Sequence, residues 1–262
     1  MNMLRTMIVL PLLLLSPLEV WAETPEQKGL AIAQEADRRD EGFGDFTANM
    51  EMTLKNKHGD ESHRFIRILN LEMPNDGDKG LSIFDEPADV KGTTVLTFSH
   101  RTEDDDQWLY LPALKRVKRI ASSNKSGAFM GSEFAFEDIG SQEVAKYAYR
   151  YLRDEDYKGA LSFVIERYPV SKNSGYKRQV VWIDQAEYRV LKIDFYDRKD
   201  SLLKTLVFDG YEKYLNKHWR AARMHVVNHQ TEKSTLLTWT NYKFKTGLND
   251  ADFSQEALAR AR

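Results

Sequence analysis

The chain has 262 residues, 42% of them hydrophobic, 30% charged and none cysteine, with a formal net charge of −2. That balance excludes a disordered chain, a disulfide scaffold and a thiol-anchored lipoprotein. It also leaves no global field to draw the protein to nucleic acid.

Residues 1–22 read as an export signal. Arg5 supplies the positive start, Met7 to Leu15 is an apolar run broken by one proline, and Val20-Trp21-Ala22 places small residues at a cleavage site. The run is shorter than the roughly 20 residues needed to span a bilayer, and no later segment approaches that length. The reading is therefore a periplasmic protein, not itself membrane-spanning, that begins near Glu23 and forms one domain over residues 23–262. An uncleaved anchor is the alternative reading of the same segment.

Thr24-Pro25-Glu26-Gln27 is a helix start, with Thr24 as cap and Gln27 completing a capping box. The helix should run to about Arg39 and stop before Gly42 and Gly44. From Phe46 the period changes to two: Phe46, Ala48, Met50, Met52 and Leu54 alternate with polar residues until His58-Gly59-Asp60 turns the chain. Further strands are expected over Ser62 to Met73, Leu81 to Asp85, Thr93 to His100, Gln107 to Pro112, Lys115 to Ile120, Tyr147 to Asp156 and Leu161 to Tyr168. The series ends with Tyr176 to Asp184, Tyr188 to Asp197, Leu202 to Tyr214, Trp219 to His229 and Thr235 to Phe244. Short helical segments fit Gln142 to Lys146 and Asp250 to Ala261.

Hairpin spacing without long crossovers predicts a mainly β fold. It is a single large, strongly curved antiparallel sheet, an incomplete barrel of about 11–12 strands covered by a few short helices. Three small helices cannot fill the concavity of such a sheet, so an apolar cavity should remain, where folds of this kind place ligands. A sandwich whose halves cover each other, with no cavity, is the competing packing.

Asp106-Gln107-Trp108-Leu109-Tyr110-Leu111-Pro112, Lys192-Ile193-Asp194-Phe195-Tyr196-Asp197 and the terminal Asp250-Ala251-Asp252-Phe253 resemble the outer-membrane lipoprotein-sorting, or LolA-like, superfamily of lipoprotein carriers. The first of these matches that family's central strand in type and order. Leu114 to Ile120 and Phe129 to Phe134 are similar to a longer branch that accompanies lipid-exporting membrane transporters. The resemblance covers nearly all of the mature chain and implies an incomplete barrel closed by helices. In the founding carriers an arginine on an early strand holds the helical lid shut. Arg64 and Arg67 lie on the corresponding hairpin outside any alignable motif, so the role is carried to neither.

Catalytic and metal chemistry find little support. Ser122-Ser123-Asn124-Lys125 and Lys245-Thr246-Gly247 formally match a serine-enzyme pair, but the serine follows a basic strand and precedes Ser126-Gly127, which reads as a loop. His225 and His229 on a strand would stand about 13 Å apart, too far for one ion. Glu103 to Asp106 and Asn75 to Asp78 lack calcium-loop spacing and read as solvated turns. No enzyme activity, metal or cofactor is expected.

Two segments carry the functional reading. On the basic strand, Lys115 and Arg119 should share one face with Val117, and Arg116 and Lys118 the other with Ile120. These cations either protect a sheet edge or meet anionic headgroups or an acidic partner. Phe129, Met130, Phe134 and Phe136 in the following Ser/Gly loop look exposed, and either plug the core or form an apolar gate. Trp108, Tyr110, Trp182, Phe195, Phe208 and Trp239 are the candidates for lining the cavity. The expected function is a periplasmic carrier of a lipid, or of the acyl chains of a lipoprotein, passing cargo between envelope components, with an inner-membrane transporter and an outer-membrane acceptor as candidate partners. A non-catalytic accessory module of a transporter complex and a secreted hydrolase are the alternatives.

Overall fold

The computed structural model of the protein describes residues 22–260, so the segment read as an export signal lies outside the described residues apart from Ala22. α1 (Pro25–Asp40) opens on the expected cap: the Gln27 amide donates to Thr24 Oγ1 at 3.2 Å, and the Thr24 amide donates to Gln27 Oε1 at 2.9 Å. The chain continues through β1 (Asp45–Lys55), β2 (Glu61–Leu71), β3 (Lys79–Glu86), β4 (Thr94–Phe98), β5 (Asp106–Leu111) and β6 (Arg116–Ile120). After an excursion over residues 121–146 come β7 (Tyr147–Tyr157), β8 (Ala160–Pro169), β9 (Tyr176–Asp184), β10 (Val190–Asp197), β11 (Leu202–Tyr214), β12 (His218–Asn228) and β13 (Ser234–Phe244).

All thirteen strands join one antiparallel sheet in the order β6-β5-β4-β3-β2-β1-β13-β12-β11-β10-β9-β8-β7, one for each strand segment read from sequence and slightly more than the 11–12 expected for the sheet. Because β1 pairs with β13, the first and last strands lie in mid-sheet and the middle strands of the series form both edges. The strand carrying Trp108, read as central, is therefore the neighbour of an edge.

Side chains alternate between the two faces. Leu109, Val95, Ser82, Ile68 and Ala48 stand opposite one another across five strands and mark the inner face. Flat, such a sheet would be roughly 58 Å wide at about 4.8 Å per strand. Instead, inner residues from Val95 through Met52 and Leu237 to Ile165 and Tyr149 belong to one core, shared with Ile32 and Ala33 of α1. The sheet is thus strongly curved, yet β6 and β7 do not pair.

The excursion over residues 121–146 fills the resulting gap. It is a series of short 3-10 turns, and the helix expected around Gln142 to Lys146 is only the turn Val144–Lys146. Phe129 and Phe134 are 1% and 2% exposed and lie in the main core, so these aromatics are not the exposed residues the loop composition suggests. Burying them is how a polar, glycine-containing segment covers an apolar face. The segment is pinned from beneath by Lys204, 3% exposed, whose Nζ donates to Asp138 Oδ2 at 2.6 Å and to the Glu133 carbonyl at 2.8 Å. The Tyr176 hydroxyl donates to the same carboxylate at 2.9 Å.

The C-terminal segment, grouped by sequence with the covers of the concavity, sits on the outer face instead. Phe253 and Leu258, the latter on α2 (Gln255–Arg260), pack on Leu81, Ile83, Leu96 and Tyr110, because β3 to β5 present apolar residues on both faces.

α1 lies directly on β7. A β-carbon at Gly29 would come 2.7 Å from the Tyr151 nitrogen. Gly29→Ala should therefore lower stability by about 1–3 kcal/mol despite its better helix propensity, read from the midpoint of urea unfolding. Asp138→Ala, which leaves Lys204 buried and unpaired, should cost on the order of 3–5 kcal/mol. In the same assay the double change Asp138→Leu with Lys204→Met should recover most of that loss.

Candidate ligand cavity

Between α1 and the inner face lies a cavity of about 560 Å³, within the range of roughly 300–1,000 Å³ typical of ligand sites. Val190 and Ile193 of β10 and Phe208 of β11 give it apolar walls. Ala36, Arg38 and Arg39 approach from α1, Tyr211 and Trp219 from β11 and β12, and Gln142 and Arg167 from the excursion and β8.

Its charges are mostly cationic and mostly laid over aromatic rings. Arg39 stacks on Tyr188 at 4.2 Å, and Arg189 on Trp219 at 4.6 Å, a geometry that keeps guanidinium groups beside apolar surface. Arg38 and Arg39 both bond Glu35 and hold its carboxyl down to about 2. Arg189 pairs with Asp184 at 2.7 Å, and Arg220 pairs with Asp40. Burial pushes the Tyr211 hydroxyl well up and the His218 imidazole down. Nearer the excursion, burial likewise raises the Glu137 carboxyl, which accepts from Ser174 Oγ and the Gly175 amide.

The six aromatics chosen from sequence do not share this space. Phe208 lines the cavity. Phe195 and Trp239 belong to the inner core, Phe195 against Tyr176 at 4.9 Å and Trp239 stacked on Tyr242. Trp108, Tyr110 and Trp182 point to the opposite side, the first two toward the C-terminal segment and the last beside Val164 and Val180. Alternation sorts residues into two sets without saying which set faces inward, and on these strands both sets are apolar.

Two arginines that sequence did not select occupy inner positions. Arg64 stands opposite Met52 on β1 and donates from Nη1 to the Met130 carbonyl of the excursion. Burial lowers its pKa, and the charge of Asp89 only partly offsets that. Arg167 is described below. The signal was a cation in phase with apolar alternation: Arg64 with Ile66 and Ile68, and Arg167 with Phe163 and Ile165.

The basic segment forms the free edge strand β6 and the turn before it. Lys115 has φ of 47° and lies in that turn, so it does not share a strand face with Arg119 and Val117. Lys115, Arg116 and Lys118 are exposed and form no salt bridge among the described residues, Arg119 pairs with Asp106, and Leu114 at the tip is 62% exposed. The acidic run read as a solvated turn is instead a polar seam. Asp104 accepts from Lys125 at 2.7 Å and Asn173 at 3.0 Å, and Asp105 pairs with Lys146. Because Asn173 follows β8 and Asp104 precedes β5, this seam ties the two ends of the open sheet together. Lys125 and Thr246, formal members of the serine-enzyme pattern, serve Asp104 and Asp45.

A family model described only as an uncharacterized protein matches residues 76–260, and no curated protein matches the chain. Among solved structures, one from Vibrio parahaemolyticus is described as an outer membrane lipoprotein-sorting protein domain. It is 57% identical over 90% of this chain and 100% of its own, with a TM-score of 0.88. A DUF1329 family protein from Desulfovibrio piger is 33% identical over 90% of this chain and 99% of its own, with a TM-score of 0.85. A LolA superfamily protein from Nitrosomonas europaea shares the fold at 20% identity, with 87% of this chain and 98% of its own covered and a TM-score of 0.71. With the open curled sheet, its inner cavity and these likenesses, the chain belongs to the LolA-like superfamily of outer membrane lipoprotein-sorting proteins.

Proposed function

We propose that the protein is a periplasmic carrier that takes a lipid, or the acyl chains of a lipoprotein, into the cavity beneath α1 and passes it between envelope components. The observation that carries this reading is the apolar-walled space of about 560 Å³ between α1 and the inner sheet face. Each buried methylene contributes about 0.8 kcal/mol, so roughly ten of them supply micromolar binding that is still releasable. No covalent step is required.

Arg64 supplies a latch for this purpose. Its bond to the Met130 carbonyl joins β2 to the excursion, and lifting the excursion off the inner face at Met130 has to break it. A partly buried guanidinium with a single backbone acceptor is a weaker tie than the buried Lys204–Asp138 pair. The excursion would therefore loosen at the Met130 end first. The exposed cations around Leu114 give the carrier a place to meet acidic partners or headgroups at an inner-membrane transporter and an outer-membrane acceptor. The same hairpin also suits a second reading, an accessory module that docks on a transporter without carrying cargo.

Purified mature protein extracted for lipid mass spectrometry should yield co-purified lipid, and a fluorescent fatty acid should bind it saturably. Absence of both would sink the carrier reading and leave the accessory module. Arg64→Ala should leave the stability derived from urea unfolding within about 1 kcal/mol of the parent while speeding release of the fluorescent fatty acid. Arg116→Glu with Lys118→Glu should reduce binding to vesicles rich in anionic lipid, or to the partner, with unchanged unfolding. Undiminished association would reduce those cations to edge protection.

A further inference from the structure

Arg167 is a cation placed where β8 otherwise sends apolar side chains inward, in phase with Phe163 and Ile165. It is 9% exposed and lines the cavity beneath α1. Its Nε donates to Gln179 Oε1 at 2.7 Å, its Nη2 reaches Gln142 Oε1 at 3.3 Å, and its guanidinium carbon lies 4.4 Å from the centre of the Tyr147 ring. Among the described residues it forms no salt bridge, in contrast to Arg39, Arg189 and Arg220 around the same cavity, which pair with Glu35, Asp184 and Asp40.

The nearby acids of the excursion are engaged elsewhere, Glu137 with Ser174 and Gly175, and Glu143 with the Ser141 hydroxyl. A guanidinium has five N–H donors in a planar fork that fits a carboxylate or phosphate two bonds at a time. Here two neutral amide oxygens and an aromatic face serve it, and a buried charge so served is costly to keep. The cavity's own walls, Val190, Ile193 and Phe208, are apolar. One side thus suits a hydrocarbon chain, while another holds a buried cation lacking a counterion.

We propose that the cavity takes an anionic amphiphile, whose carboxylate or phosphate pairs with Arg167 while its chain lies against Ile193 and Phe208. This rests on the carrier reading and adds the chemical class of the cargo to it. Gln142 and Gln179 then act as orienting groups that hold the guanidinium fork toward the ligand. Gln142 also accepts from the Tyr147 hydroxyl at 2.8 Å, so its position is fixed before a ligand arrives.

The test compares three probes of one chain length at pH 7.5, namely hexadecanoic acid, 1-hexadecanol and a hexadecanoyl lysophosphatidic acid, on the mature protein and on Arg167→Gln. The parent should bind at least one of the two anions about tenfold or more tighter than the alcohol, the scale of a charge-assisted pair. Whichever anion binds tighter identifies a free acid or a phosphate headgroup as the source. Arg167→Gln should bring that anion to the level of the alcohol and leave the alcohol unchanged, and Arg167→Lys should retain part of the preference. Equal affinity of the parent for the alcohol and both anions would overturn the proposal while leaving a lipid carrier, as would an equal loss of all three in Arg167→Gln. Failure of the parent to bind any probe would overturn the carrier reading together with the proposal. If Arg167→Gln does not fold, the parent's anion-to-alcohol ratio and the Arg167→Lys variant decide the matter.

Discussion

Strands β6 and β7 are consecutive in the chain and form the two edges of one curved sheet, and they never pair. The rest of the molecule answers that gap. A sheet with an apolar inner face must close on itself or be covered. Here the cover comes from α1 and from the segment that runs between the two edge strands. The segment has no regular helix to offer, so it buries Phe129 and Phe134 and satisfies its polar backbone through short turns. A buried ion pair, Lys204 with Asp138, holds it down on the sheet. Such a pair adds little net stability compared with apolar packing, but it is severe on any arrangement that leaves one partner alone. It therefore fixes where the segment sits.

The polar seam beside it works by the same logic at lower cost. Asp104, Lys125 and Asn173 join the beginning of β5 to the turn after β8. This link lets the sheet hold its curvature without hydrogen-bonded closure. A barrel closed by strand pairing would be stiff all round. One closed by side chains can yield locally, as the proposed loading and unloading of cargo requires.

On the inner face, apolar residues and cations are interleaved rather than separated. Arg64 reaches a backbone carbonyl of the excursion, Arg167 the Gln142 amide of the excursion besides Gln179 on the sheet, and Lys204 a carboxylate of the excursion. These are three different strengths of tie between the sheet and its covers, and they grade how readily each part can move. The rim of the cavity extends the pattern, with guanidinium groups laid over tyrosine and tryptophan.

Much of the fold was legible in the amino-acid sequence because it depends on local rules. The Thr24–Gln27 cap, the period-two strands and the turn signals are short-range, and each strand appears within a few residues of its expected place. The resemblance to the lipoprotein-sorting superfamily rested on the same strand segments. What required the tertiary structure was every statement about facing. Both faces of β3 to β5 and of β8 and β9 are apolar, and irregularities such as the extra residue that β13 carries opposite Thr47 and Asn49 reset the alternation. Trp108, Tyr110 and Trp182 therefore looked as suitable as Phe208 and lie on the other side. The acidic run at Asp104 looked solvated because its partners, Lys125, Asn173 and Lys146, come from distant parts of the chain. Sequence by itself determined which residues could form strands and which charges the protein would carry. Only the curling of the sheet decided which of those charges would be buried, because burial follows from contacts between segments that sequence leaves unordered in space.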